Sequence, residues 1–349
     1  MKSEWKECQL GDLITFQRGH DLPKTKMQGG NYPVVGSNGI IGYHNEYTTE
    51  SPSITIGRSG NVGKPFLYNG KSWSHNTSLY IKEYKNVDPI FIYYFLQTLD
   101  LGNYAGGSAV PTLNRNHIHT LNVCVPMASE EQKQIASILS SLDNKIMLNT
   151  AINENLELQA QAIFEDMFPN VIYGEHSIGE YITPKRGKGL LSKNAIFGDV
   201  PVVAGGLEPA TYHNIANTTA PVLTISASGA NSGYVNLWTI PVWSSDSSFI
   251  DSSMTNNVYF WYVMLKTRQQ EIYDSQTGSA QPHIYPKHIS VLPITKLNEK
   301  DISNFTRIVT PMFDKIGKNK YENKRLAELR DTLLPKLMNG EIDVSEIKI

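Results

Sequence analysis

The chain has 349 residues, 40% of them hydrophobic and 18% charged, with a formal net charge of −2. That composition is ordinary for a soluble globular protein of two or three domains and excludes a disordered or fibrous chain. No apolar run approaches the ~20 residues needed to span a membrane. The first residues, Met1-Lys2-Ser3-Glu4-Trp5-Lys6-Glu7, lack a signal-peptide apolar region, and Cys8 and Cys124 have no neighbouring Cys at metal-ligand spacing, so the expected location is the cytoplasm.

In chain order, the first recognisable phrase is Leu10-Gly11-Asp12-Leu13-Ile14-Thr15, reaching Arg18-Gly19, followed by Pro33-Val34-Val35. The runs Ser53–Ile56 and Ser78–Ile81, bounded by Gly, Asn, Ser and Pro, predict strands. Asp88 as N-cap and Pro89 as first helical residue predict a helix over 90–96, whose Phe and Tyr side chains read as buried core rather than a ligand cage. Past Pro126, Ser129-Glu130-Glu131-Gln132 signals a helix start, and neither Gly nor Pro occurs again until Pro169. Ile135, Leu139, Leu142, Ile146, Asn149, Asn153, Leu156, Ala160, Ile163 and Met167 fall on one heptad seam, the spacing of a coiled coil.

About 170 residues on, the same text returns. Ile178-Gly179-Glu180-Tyr181-Ile182-Thr183 reaches Arg186-Gly187, Pro201-Val202-Val203 follows, and Trp73-Ser74 reappears as Trp243-Ser244. Gly107-Ser108-Ala109-Val110-Pro111-Thr112-Leu113 becomes Gly278-Ser279-Ala280-Gln281-Pro282-His283-Ile284, and His117-Ile118 becomes His288-Ile289. Val222–Ile225 predicts a strand, and a helix opens at Asn256-Asn257 and runs from Val258 to Leu265. The second tail repeats the seam at Ile302, Phe305, Val309, Met312, Ile316, Asn319, Asn323, Leu326, Arg330, Leu333 and Leu337, with Pro311 expected to kink or break it.

So long a period exceeds any solenoid unit and implies two duplicated domains related by a pseudo-twofold. The expected division is a head at 1–126, a helix at 127–169, a second head at 170–294 and a second helix at 295–349. The fold class is α+β: two mixed α/β heads joined by two long antiparallel coiled-coil helices. Residues 126–170 carry 2 basic against 7 acidic side chains and 296–340 carry 10 against 6, so the helices prefer each other over self-association. In an antiparallel pair Asn149, Asn153, Asn319 and Asn323 meet near the middle, where buried Asn sets register at a cost in stability. A polar interruption facing solvent is the bland reading.

The terminal run Leu329-Arg330-Asp331-Thr332-Leu333-Leu334-Pro335-Lys336-Leu337-Met338-Asn339-Gly340-Glu341 resembles the specificity subunits of type I restriction-modification systems. So do Val125-Pro126 with Glu130-Glu131-Gln132-Lys133-Gln134-Ile135-Ala136, and the Leu10-Gly11-Asp12 opening. The second junction departs, with Asn298-Glu299-Lys300-Asp301 in place of the Glu-Glu-Gln phrase. The resemblance covers essentially the whole chain. It implies two target recognition domains, each reading half of a split, asymmetric double-stranded DNA sequence. It also implies helices that set the spacing and dock two modification (methyltransferase) subunits. The chain itself is then non-catalytic and holds no cofactor. S-adenosylmethionine belongs to the modification subunits, and ATP and Mg to the restriction subunits of the full complex. No Walker A loop or Asn/Asp-Pro-Pro-aromatic tetrapeptide occurs in the chain.

Positions that match between the copies read as scaffold, and those that differ as candidates for sequence reading. The Gly-rich stretches supply Arg58, Ser59, Asn61 and Lys64 in the first copy, and Ser228 and Asn231 in the second. The Trp-Ser stretches supply His75 and Asn76 against Ser245 and Asp246. The late stretches supply Thr112, Arg115 and Asn116 against Gln281, His283 and Lys287. Arg, Asn and Gln suit bidentate contacts to purine edges, and Gly lets backbone approach phosphate. Lys24, Lys26, Lys185, Arg186 and Lys188 are candidate phosphate contacts. The structural alternative for each loop is a turn that satisfies only its own backbone. Two rival functions are a duplicated hydrolase, disfavoured because no His-plus-nucleophile pair persists in both copies, and a carbohydrate-binding protein stacking sugars on Trp73 and Trp243.

Overall fold

A computed structural model of the chain describes residues 4–107, 111–278 and 281–344. Ser108, Ala109, Val110, Ser279 and Ala280 of the repeated Gly-Ser-Ala stretch lie outside the described residues. The chain forms two compact units, residues 1–146 with 324–349, and residues 147–323. Each unit contains one head together with half of each long helix, Ser129–Met167 and Glu299–Met338.

The first unit is closed by Trp5–Gln9 pairing antiparallel with Asn122–Pro126. Inside that closure lies a four-stranded antiparallel sheet in the order Ile14–Arg18, Ser78–Tyr84, Ser53–Gly57, Pro65–Tyr68. A second sheet orders Gly39–His44, Tyr32–Gly36 and Trp73–Ser74, the last pair parallel. The second unit repeats these three sheets, while the first unit's further pair, Ala105–Gly106 with Thr112–Leu113, has a single bridge, Thr277 to His283, as its counterpart. His176–Ser177 pairs with Pro293–Ile294, and the four-stranded sheet runs Lys185–Arg186, Ser247–Asp251, Val222–Ser226, Val235–Trp238. Thr211–His213, Val200–Val203 and Trp243–Ser244 make its three-stranded partner.

The repeated Leu-Gly-Asp and Ile-Gly-Glu phrases now have a physical reason. Each forms a short helical turn in which the acid accepts the backbone N–H three residues back, Gln9 N to Asp12 at 2.9 Å and Ser177 N to Glu180 at 2.8 Å. A Cβ on Gly11 would lie 3.1 Å from the Cβ of His119, and one on Gly179 would lie 3.0 Å from that of Ser290. Both short helices late in the heads, Arg115–His119 and Pro286–Ser290, therefore pack directly on a glycine.

Asp88 caps the helix Pro89–Gln97, its carboxylate accepting from Ile90 N and Phe91 N at 2.9 Å. Its counterpart is Val258–Thr267. Both are core: Phe91, Ile92, Tyr94, Phe95 and Leu96 are buried, as is every residue from Val258 to Leu265. In the second unit Phe164, Phe260 and Phe305 form a mutually contacting aromatic cluster with centroids 5.6–6.1 Å apart. Full burial of each such ring contributes about 1.5–3 kcal/mol.

The seam positions on both long helices are all buried or half-buried. Pairing within each unit is antiparallel. In the first unit Arg330 Nη1 meets Asp143 at 2.6 Å, and the same carboxylate accepts the Tyr94 hydroxyl at 2.6 Å. In the second unit Asn149 Nδ2 donates to Asn323 Oδ1 and Asn319 Nδ2 donates to Asn153 Oδ1, both at 2.8 Å. Pro311 does not break its helix, which is continuous from Glu299 to Met338. Pro311 removes one N–H donor from the helix, and Thr310 Oγ1 donates to Thr306 O one turn back. The departed phrase at the second helix start is also accommodated, because Asn298 accepts from Lys300 N at 2.9 Å and caps the helix. Gln132 of the first phrase acts differently: it accepts from Asp88 N and donates to Pro126 O, tying helix starts to the closing strand.

Candidate nucleic-acid interface

Three loops that are far apart in sequence converge in each head. In the first unit Arg58 N donates to Thr77 O, Leu113 N donates to Arg58 O, and Ser59 bridges to Thr112. In the second, Ala227 N donates to Asp246 O, Ile284 N to Ala227 O, and Ser228 bridges to His283. The Gly-rich, Trp-Ser and late stretches therefore form one patch per unit. Gly60 and Gly229 turn the first loop with φ of +85° and +82°, a conformation that costs glycine little.

These bonds fix the correspondence of the Gly-rich loops and correct the one drawn from the sequence for the Trp-Ser stretches. Gly63 N returns to Gly57 O, and Gly233 N to Ser226 O, so Arg58 stands where the second unit has Ala227, not Ser228. Ser78 and Ser247 both donate to the Pro-Val-Val strand, at Val35 O and Val203 O, so Thr77 corresponds to Asp246. Asn76 is an extra residue of the first head, and the second head carries one extra in its Gly-rich loop.

The remaining candidates divide by exposure and by partner. Lys24, Lys26, Asn61, Lys64, Arg115, Asn116, Lys185, Lys188, Gln281 and Lys287 are exposed, and Arg58, Ser59, Thr112, Asn231 and His283 are half-buried at the patches. Several others are engaged within the protein. Ser245 is buried, with its hydroxyl accepting from Leu190 N at 2.9 Å, and so is withdrawn from the surface. Arg186 pairs with Asp246 at 2.6 Å, and the other Asp246 oxygen accepts from the Ser228 hydroxyl. These three side chains form a closed polar cluster in place of a bare cation and two free readers. In the first head Asn76 donates to Asp21, and His75 Nδ1 lies 3.0 Å from Thr77 Oγ1.

The profile of the type I restriction modification DNA specificity domain matches residues 2–158. A candidate type I specificity subunit of Mycoplasma pneumoniae is 25% identical over 361 residues, covering 96% of each chain. The MjaIX specificity subunit of Methanocaldococcus jannaschii is 24% identical over 302 residues, 74% of this chain and 70% of its own. Over residues 2–158 the chain is similar to the type I DNA specificity domain, and along most of its length it is similar to type I specificity subunits. The crystal structure of a type I S subunit from M. genitalium shares the fold, with a TM-score of 0.68 over 96% of both chains at 20% identity.

In this chain the two tryptophans are not open stacking platforms. Trp73 Nε1 donates to His20 O and Trp243 Nε1 to Lys188 O, at 3.4 and 2.8 Å. Each ring is met edge-on by a buried histidine, His44 or His213, with centroids 5.1 Å apart. Those histidines accept backbone N–H groups of a preceding loop, Gln28 N and Ile196 N. Sequence reasoning missed this pair, although Tyr43-His44-Asn45 and Tyr212-His213-Asn214 carry the repeat in plain view. It also missed Tyr285, whose exposed ring stacks on His283 at 5.9 Å to give the second patch an aromatic surface where the first has Asn114. Lys193 was missed as well; it lies on a short turn, Ser192–Asn194, that corresponds to Lys24–Lys26. Among the described residues no three His, Cys, Asp or Glu side chains are grouped to hold a metal ion, and no helix is long and apolar enough to cross a membrane.

Proposed function

We propose that the chain recognises double-stranded DNA in a type I restriction-modification complex, each unit reading one half of a bipartite, asymmetric target. The observation that carries this reading is the pairing of a constant frame with variable tips. The two patches are held by corresponding backbone bonds, yet Arg58 corresponds to Ala227, Thr112 to His283 and Asn114 to Tyr285. A single reader repeated would keep its donors and acceptors, whereas two readers of different base pairs must change them. Exposed Lys24, Lys26 and Lys64 in one unit, and Lys185, Lys188 and Lys193 in the other, supply phosphate contacts that orient each patch.

The chain works with two modification subunits, docked through the long helices, and with restriction subunits in the full complex, in the cytoplasm. Methyl transfer from S-adenosylmethionine and ATP-driven cleavage belong to those partners. The near-neutral charge of the heads agrees with this division, since partners then provide much of the electrostatic attraction to DNA. Methylome sequencing of a host expressing the chain with its modification subunits tests the reading. The expected result is one methylated motif with two specified halves and an unread spacer. A motif that persists when this chain is deleted, or one without a spacer, counts against it. The purified chain incubated with labelled S-adenosylmethionine and DNA should transfer no methyl group.

A further inference from the structure

Phe197 is 98% exposed, and Leu191 and Ile196 beside it are 63% and 60% exposed. A free aromatic ring of this kind leaves ~150–250 Å² to be buried on a partner. Its backbone is nevertheless held firmly. Ile196 N donates to the buried His213 ring at 3.0 Å, and that ring packs edge-on against Trp243, whose Nε1 holds Lys188 O. A Cβ at Gly198 would lie 2.5 Å from His213 O, so the strand after Phe197 passes directly under the same histidine. Residues 185–200 present exposed Lys185, Lys188 and Lys193 against a single acid, Asp199, with Arg186 held by Asp246. An apolar tip on a basic, anchored segment is the make-up of side chains that enter a DNA groove and wedge between stacked bases.

The first unit lacks this side chain. Gln28 N meets His44 as Ile196 N meets His213, and a Cβ at Gly30 would lie 2.4 Å from His44 O. Gly29 therefore stands at the place of Phe197, and a Cβ built on it meets nothing within 4 Å. Both units have the room, and only the second has the ring.

We propose that Phe197 is an apolar wedge that unstacks one base step of the second half-site, an insertion the first unit does not make; this rests on the recognition reading above. The test uses the complex of the full chain with its modification subunits. The probe is a duplex of its own methylated motif, with 2-aminopurine placed in turn at every second-half position except the methylated base. Wild-type complex should raise the fluorescence at one step on binding. Phe197→Ser, at a position too exposed to affect folding, should abolish that rise and weaken binding about tenfold, while Phe197→Leu keeps most of both. Gly29→Phe should add a rise in the first half-site. Wild-type complex that binds without any rise, or Phe197→Ser complex that keeps it, overturns the wedge alone. If Phe197→Ser instead fails to assemble with the modification subunits in gel filtration, the ring contacts protein and the wedge is wrong. Wild-type complex that does not bind the duplex overturns the recognition reading and the wedge with it.

Discussion

His119 illustrates how much one side chain can differ between duplicated frames. Its Nε2 accepts from Phe16 N at 2.9 Å, and its ring stacks on Phe16. Burial, with Arg115 and Lys85 nearby, holds its pKa below the ordinary 6.5. Protonation would remove the acceptor, so the native state resists it while the unfolded chain does not. Between the lowered value and 6.5 the unfolded chain binds more protons, and stability falls as pH falls through that window. Urea unfolding of the whole chain should show the first unit weaker at pH 5 than at pH 7.5, and His119→Gln should flatten that dependence. The second unit has Ser290 against Gly179 where the first has His119 against Gly11, and should lack this pH dependence. Arg58→Ala should weaken binding to the cognate duplex and relax the first half-site alone, by about 1–3 kcal/mol if it reads a guanine. Competition binding against single-base variants measures this.

The long helices decide register with polar groups. The Asn149–Asn323 and Asn153–Asn319 bonds are two copies of one contact, with the first Asn of each helix donating to the second Asn of the other. A shift by one heptad would leave these amides facing apolar seam positions, at about 1–3 kcal/mol for each buried group left unpaired. Replacing Asn149 and Asn323 together by Leu should raise the melting temperature by a few degrees and admit a second oligomeric species in native mass spectrometry. A single species with lower stability would show that the amides contribute packing alone. Elsewhere on the seam Asp143 holds both Arg330 and the Tyr94 hydroxyl, whose pKa is raised by burial and then by that hydrogen bond. Asp143→Ala should cost about 1–3 kcal/mol in chemical denaturation by leaving both donors without it.

For the whole molecule the expectation is modularity. Helices of 39 and 40 residues are about 60 Å long at ~1.5 Å per residue. Exchanging residues 1–125 for the head of a type I specificity subunit should change the first half-site only. Inserting about four residues into the helix pair should lengthen the unread spacer and keep both halves. Methylome sequencing of strains carrying each variant reads both outcomes, and a head exchange that alters both halves together contradicts the two-reader account.

Much of this protein was legible because local rules decided it. Duplication was visible as repeated phrases, the Asp88-Pro89 helix start as a capping pattern, and the antiparallel pairing as complementary charge with matched asparagines. These depend on backbone preference and side-chain periodicity, which act within a few residues. What the tertiary structure alone decided was which side chains are free. Arg186, Ser228 and Asp246 look like three readers in sequence, but β-pairing brings them within hydrogen-bond reach of one another and they satisfy themselves. Ser245 is turned inward by a loop 55 residues away. The one-residue insertions in opposite loops of the two heads cancel in the spacing of the repeat, so only hydrogen-bond partners reveal that Arg58 corresponds to Ala227. Exposure and pairing depend on contacts between residues remote in sequence, and no local pattern carries that information.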